Sequence, residues 1–135
     1  MRWFQAACVI LALLGIVHSG SYLTSPPPPA NATEKTLNEL MSGYRTDMMG
    51  VQRSQGDLFT GFLISFSVLP LTIAAAGLAL APVVNQTALA RLAAVNFIGL
   101  AVMTGVSIYW WFHAPTAFLL LSAICFGVSA WKLRN

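Results

Sequence analysis

The stretch that decides the fold of this chain is residues 57–81, which read DLFTGFLISFSVLPLTIAAAGLALA. No charged side chain follows Asp57 before the stretch ends. A helix rises about 1.5 Å per residue, so this run is long enough to cross a hydrocarbon core about 30 Å thick. Pro70 in its middle removes one helical hydrogen bond and predicts a kink. We therefore predict a kinked membrane-spanning helix with an aspartate at one end.

The composition agrees with a membrane protein. Of 135 residues, 57% are apolar and only 8% are charged, which leaves too few polar side chains to cover a water-soluble globule. The net charge of +3 does not indicate a nucleic-acid partner, because the seven Lys and Arg residues are scattered singly beside apolar runs. Cys8 and Cys125 both lie within apolar runs without a neighbouring Cys or His, so no metal site is predicted.

Three further apolar runs, residues 3–23, 88–112 and 116–132, complete a set of four predicted spans. The first run follows Arg2 and resembles a signal peptide, but its length and the lack of a small-residue cleavage site favour a retained anchor. The fold class that follows is an all-α membrane protein, a four-helix transmembrane bundle forming one domain over residues 1–135.

The loop between the first two spans, residues 24–56, holds most of the remaining polar residues. Four consecutive prolines at 26–29 impose an extended exit from the first span. Apolar residues then recur at three- and four-residue steps, which predicts an amphipathic helix over residues 33–48. This connector helix is expected either to lie on the membrane surface or to close over the end of the bundle, and a plain connector packed on the bundle remains an alternative.

Two opposite charges stand where the loop meets the second span. Arg53 and Asp57 are four residues apart, so we expect them on one face of a single helix, with Arg53 as the partner of the aspartate. An ionisable group at the edge of a membrane normally pairs or faces a wet cavity. A simple ion pair in the first helical turn and a binding role both explain this arrangement.

Alternating the four spans up and down brings a group of polar and aromatic side chains from three of the spans to one end of the bundle, which we call the outer end. The candidate binding residues at this end are His18, Tyr22, Arg53, Asp57, Trp110 and His113. Two histidines on different helices could also be axial haem ligands, although their position at span ends and the lack of any further haem signal count against that cofactor. The sequence identifies no catalytic residues.

The distribution of cations predicts the orientation in the membrane. Four of them accompany the two termini, namely Arg2, Arg91, Lys132 and Arg134. The other end holds the remaining three together with all four acids. Because Lys and Arg are enriched on the cytoplasmic side, both termini are predicted to be cytoplasmic and the outer end to face away from the cytoplasm.

Several motifs follow one another along the chain, namely His18 at the end of the first span, PPPPANATE at 26–34, ELMxxYRxD at 39–47 and RSxxDLxxGFxxxFS at 53–67. With these motifs the chain resembles a small uncharacterised family of four-span bacterial inner-membrane proteins. In size and span count the chain is also similar to DoxX-like proteins. The resemblance implies a four-helix fold in a bacterial inner membrane and brings no activity, substrate or cofactor with it.

Three functions are compatible with these features. The preferred one is a binding or accessory protein for a lipid-like or quinone-like molecule or for a larger membrane complex. The second is a membrane enzyme acting on a lipophile, with His18 or Asp57 as acid or base and Arg53 holding an anionic group. The third is a purely structural subunit. The expected partners are membrane lipids, a lipophilic small molecule, and a larger complex or further copies of the chain.

Overall fold

The computed structural model describes residues 1–24, 27–111 and 113–135. Within these residues the chain forms helices and one small hairpin. In chain order the elements are α1 (Arg2–Leu23), α2 (Ala32–Gly43), β1 (Arg45–Met48), β2 (Val51–Ser54), α3 (Gln55–Leu80), α4 (Gln86–Trp110) and α5 (His113–Arg134). Of the predicted proline run, Pro26 lies outside the described residues, as does position 112 at the predicted end of the third span.

Four of the helices are long and apolar enough to cross a membrane, namely α1, α3, α4 and α5. Many of their large apolar side chains are exposed on the outside of the protein, among them Phe62, Val95 and Ile108. A water-soluble protein rarely presents apolar surface on this scale, whereas a bilayer covers it. The predicted all-α four-helix bundle is therefore confirmed, and the chain is a small multi-pass membrane protein.

The four spans pack in the order α3, α1, α5, α4. Helix α1 lies between α3 and α5, and α5 packs extensively on α4. Phe4 of α1 and Phe126 of α5 are fully buried and meet edge to face, with ring centroids 5.2 Å apart. Although α3 and α4 are consecutive, they form no extensive interface in the described part of the chain. A groove therefore lies between these two helices.

Small residues set the close crossing of α1 and α3. A Cβ atom added to Gly15 of α1 would stand 2.6 Å from Cγ of Leu71 and 2.9 Å from the Ser67 carbonyl oxygen. At Gly77 of α3 it would stand 2.7 Å from Sγ of Cys8. Glycine at both points lets the two backbones approach, as is common for helices packed in membranes.

Both termini lie at the same end of the bundle. Nζ of Lys132 is 5.7 Å from the centroid of the Trp3 ring. At this end the amide of Gln86, in the first turn of α4, donates to the Leu133 carbonyl at 3.1 Å. The connector between α1 and α3 consequently occupies the opposite, outer end.

The connector helix is shorter than the sequence predicted. Instead of running over residues 33–48, α2 ends at Gly43, and a two-stranded antiparallel hairpin follows. Met49 and Gly50 have φ angles of 58° and 86°, the positive values that a two-residue hairpin turn requires. Asp47 Oδ1 accepts a hydrogen bond from the Gly50 amide at 2.9 Å and holds this turn. The apolar spacing alone did not reveal that the helix ends at Gly43 and that a hairpin follows.

Helix α2 does not close over the bundle. None of its residues is buried, and Leu37 and Leu40 are exposed. Its amino end is capped by Asn31, whose side chain accepts from the Glu34 amide at 2.9 Å. Leu37 and Leu40 are thus left exposed, as a helix lying on a membrane surface would need, while the end of α2 near Met41 contacts α3, as a connector packed on the bundle would.

Candidate functional site

A pocket of about 440 Å³ opens at the outer end of the bundle. It is formed by the last turns of α1, the first half of α3 and the junction between α4 and α5. The lining residues are His18, Phe59, Phe62, Leu63, Phe66, Trp111 and Pro115. We call this space the aromatic pocket. Its volume lies in the range of small-molecule sites, which are mostly apolar with a few polar groups.

Phe66 is the centre of the aromatic pocket. The imidazole of His18 meets the Phe66 ring edge to face, with centroids 5.0 Å apart and an interplanar angle of 75°. The indole of Trp111 meets the same ring at 4.3 Å and 88°. Such perpendicular contacts are the preferred geometry for π systems, so the three rings hold one another in place.

His18 is the polar group of this pocket. It lies in the next-to-last turn of α1, and its Nε2 atom is buried without a hydrogen-bond partner among residues 1–24, 27–111 and 113–135. An unpaired buried polar atom carries a free-energy cost of about 1–3 kcal/mol, which a hydrogen bond to a bound molecule would offset.

Tyr22 lies one turn beyond His18 on α1. Its hydroxyl donates to Ser19 Oγ at 3.4 Å and also lies near Ser67 of α3. Ser19 Oγ in turn donates to the Gly15 carbonyl at 2.8 Å. These contacts join the end of α1 to α3 and fix the turn that carries the imidazole.

The structure corrects the predicted pairing of Arg53 with Asp57. Arg53 belongs to strand β2, whereas Asp57 lies in the first turn of α3, so the two do not share a helix. Asp57 Oδ2 accepts from the Ser54 amide at 2.9 Å, and Ser54 Oγ accepts from the Asp57 amide at 3.0 Å. This is a capping box, in which the carboxylate satisfies the helix end. Across the described residues, the ion pair that forms is Lys35 with Glu39 at 3.9 Å.

Arg53 and Asp57 line a different and more open cavity of about 540 Å³ on the outer face of α3. Among the described lining residues, Phe62 is shared by this cavity and the aromatic pocket. The lining of the aromatic pocket includes His18 but neither of these two charged residues. The predicted cluster is therefore divided: His18 lines the aromatic pocket, whereas Arg53 and Asp57 line the other cavity.

Trp110 and His113 are exposed at the turn between α4 and α5. The Trp110 ring packs against Tyr109, with centroids 5.6 Å apart, and His113 is the first residue of α5. Neither belongs to the lining of the aromatic pocket, where Trp111 takes the place expected for Trp110.

That phenylalanines of α3 line the pocket was not predicted from the sequence, although their spacing along the chain is regular. Phe59, Phe62 and Phe66 are spaced by three and four residues, which places them on one side of α3. Aromatic residues at this spacing are common in ordinary helix packing. They indicate a pocket only when it is known that the neighbouring helix does not pack against them.

A second apolar space of about 300 Å³ lies deeper, between α3 and α4. Phe66 lines this space as well as the aromatic pocket, and Leu11 of α1 and Leu119 of α5 contribute to its lining. Asn96 is the polar residue of this space, and its side-chain amide donates to the Leu92 carbonyl of its own helix at 3.0 Å. We call this space the α3–α4 groove.

Metal and haem ligands do not converge at the pocket. Outside residues 25, 26 and 112, no group of three or more His, Cys, Asp or Glu side chains is placed to hold a metal ion. His113 does not join His18 in lining the pocket, so the two histidines are not arranged there as an axial pair.

The chain was compared with known protein families, with curated proteins and with solved structures. None of the three comparisons finds a match. The functional argument therefore rests on the geometry of the site.

Proposed function

We propose that this protein binds a neutral, lipophilic small molecule whose planar head enters the aromatic pocket. The observation that carries the proposal is the buried, unpartnered Nε2 of His18 in the wall of a pocket otherwise formed by apolar side chains. A carbonyl oxygen on the head would supply the missing hydrogen bond, while Phe66 and Trp111 offer ring surfaces for stacking. Quinone-like molecules have this combination of features.

The division of the polar residues favours binding over catalysis. An acid–base reaction needs its groups within hydrogen-bond reach of one substrate. Asp57 is engaged in capping α3 and lines another cavity with Arg53, so His18 is left without a charged partner in the pocket. A purely structural subunit has no need for an open pocket of this size.

The proposal includes the place of action. We infer that the protein resides in a bacterial inner membrane with both termini in the cytoplasm, as the family resemblance and the distribution of cations suggest. A lipophile dissolved in the bilayer would reach the pocket from the membrane. Association with a larger complex would allow the protein to deliver or hold this molecule for another component.

Tryptophan fluorescence tests the proposed binding. The probe is a tail-free methylated benzoquinone, titrated into detergent-solubilised protein in which the other three tryptophans are replaced by Phe, so that Trp111 alone reports. His18→Phe keeps the ring contact with Phe66 and removes the hydrogen bond, worth about 0.5–1.5 kcal/mol. Its Kd for the quinone is expected to rise by about 3–10-fold.

The matched control is His113→Phe, the same change at an exposed histidine outside the pocket lining. We expect its Kd to equal that of the parent protein. Equal quenching in the parent and His18→Phe proteins would show that the imidazole takes no part in binding. Quenching that does not saturate would contradict the proposed function altogether.

A further inference from the structure

The α3–α4 groove continues from the aromatic pocket toward the middle of the membrane. Phe66 is common to the two linings and stands between the spaces. The pocket side of this residue faces His18, while beyond it the groove is lined mainly by aliphatic side chains such as Leu69, Ile73 and Val95. The path therefore changes from aromatic with one hydrogen-bonding group to almost wholly aliphatic.

The groove is accessible from the side. Helices α3 and α4 form no extensive interface within the described residues. Side chains of α1 and α5 line the bottom of the groove between them. In a membrane this opening faces lipid, so a molecule dissolved in the bilayer could enter between the two helices without crossing an aqueous phase.

Pro70 interrupts the helical hydrogen bonding of α3 next to Phe66. It lies inside the helix and lines the groove. A proline has no amide hydrogen, so it cannot donate to the carbonyl four residues earlier, which is that of Phe66. The backbone at Phe66 thus lacks one helical hydrogen bond, at the residue that separates the two spaces.

We infer that the α3–α4 groove holds the apolar tail of the same ligand whose head the proposed function places beside His18. The inference rests on that proposed function and specifies the ligand as a tailed, quinone-type lipid. A head in the aromatic pocket can direct its tail past Phe66 into the groove, because Phe66 lines both spaces and the groove is the apolar one of the two neighbouring cavities.

The charges argue for a neutral head. An anionic phospholipid or a fatty acid would need a cation close to its head. The described lining of the aromatic pocket contains no Lys or Arg, and Arg53 lines the separate cavity on the outer face of α3. A quinone ring needs only hydrogen bonding and stacking, which His18, Phe66 and Trp111 provide.

Two glycines on α4 give a matched test. Gly99 lines the groove, and a Cβ atom added there meets no atom within 4 Å. Gly99→Leu therefore places an aliphatic side chain in the groove from a position where its Cβ atom has free space. Gly105 is equally open but is not part of the groove lining, so Gly105→Leu is the control. Both changes replace an exposed helical glycine with the same residue.

The experiment compares a benzoquinone that carries a decyl tail with the tail-free benzoquinone in the Trp111 assay. Gly99→Leu is expected to weaken binding of the tailed quinone by about tenfold, the effect of denying burial to roughly two methylene groups. Binding of the tail-free quinone should stay unchanged, and Gly105→Leu should match the parent for both.

The outcomes separate the two proposals. If the tail-free quinone binds in a His18-dependent way but Gly99→Leu has no effect on the tailed one, the groove does not hold the tail and the inference is wrong. If neither quinone binds, the proposed function itself fails. Equal weakening by Gly99→Leu and Gly105→Leu would show that the effect is not specific to the groove and would also overturn the inference.

Discussion

Asp57 illustrates how a carboxylate can stand in the first turn of a long apolar helix without relying on an ion pair. The amide groups in the first turn of a helix have no partner within the helix, and the helix dipole favours negative charge there. Asp57 satisfies the Ser54 amide and Ser54 returns the bond, so the need for a partner is met by the local backbone. Arg53 is left on the strand before the helix.

The energetic partner of Asp57 should consequently be Ser54. We expect Ser54→Ala and Asp57→Ala each to lower stability by about 1 kcal/mol, in the range for lost helix caps. Because both remove the same reciprocal box, the double variant should lose less than the two single losses added together. Thermal unfolding in detergent, followed by circular dichroism, measures the three differences.

The control cycle uses Arg53→Gln with Asp57→Ala. Since these side chains form no ion pair in the described part of the chain, their effects should add to within about 0.5 kcal/mol. A coupling of Asp57 with Arg53 larger than that with Ser54 would restore the predicted ion pair and contradict the capping box.

The site could be predicted in part from single residues. His18 was recognisable because an ionisable side chain near the end of a span requires an explanation. Trp111 and Phe66 could not be recognised as site residues, because an aromatic residue in an apolar run is explained equally well by lipid contact or by packing until its neighbours in space are known. Which of two adjacent tryptophans faces the pocket depends on the exact end of α4, and helix ends are poorly determined by sequence.

Among the helices, the pair α1 and α3 depends most on close backbone approach. Gly15 stands against the Ser67 carbonyl, a backbone atom that cannot turn aside as a flexible side chain would. The same α1–α3 contact brings Phe66 beside His18. The crossing therefore positions the aromatic pocket as well as stabilising the bundle.

Gly15→Ala should separate these helices and cost about 1–3 kcal/mol, the usual penalty for overpacking a filled interface. The matched control is Gly20→Ala on the same helix, where an added Cβ meets nothing within 4 Å. That change should stabilise the helix by about 0.5–1 kcal/mol, because alanine loses less conformational freedom than glycine. Thermal unfolding in detergent compares the two variants with the parent, and an equal response at both positions would mean that α1 and α3 do not cross closely at Gly15.

The long helices could be predicted and the connector could not, for a physical reason. A span needs about twenty consecutive apolar residues, a pattern with few competing explanations. In the connector, Tyr44 and Met48 continue the helical spacing of α2, yet the same stretch also suits a short strand. Local turn chemistry at Met49 and Gly50 decides between them, and a non-glycine residue at positive φ is not visible in a hydrophobic pattern.

The two ends of the bundle differ in charge. The end with the termini carries Arg2, Lys132 and Arg134, with Arg91 in the second turn of α4, and no acid. All four acids lie at the connector end. Up-and-down threading follows from short connections between antiparallel spans, and the contact between Lys132 and Trp3 brings the two ends of the chain together. The orientation in the membrane then depends on the positive charges.

The last prediction concerns this orientation. Val83, between α3 and α4, and Met49, at the hairpin tip, are both strongly exposed and lie at opposite ends of the bundle. In a background without Cys8 and Cys125, a membrane-impermeant maleimide added to intact cells should label Met49→Cys, and should label Val83→Cys only after the membrane is opened. The expected polarity follows because cations are retained on the cytoplasmic side, which here is the end with the termini. Labelling of both positions in intact cells would contradict the threading of the four spans. Labelling of Val83→Cys alone would leave the fold intact but reverse the orientation of the bundle in the membrane, which would place the aromatic pocket at the cytoplasmic face.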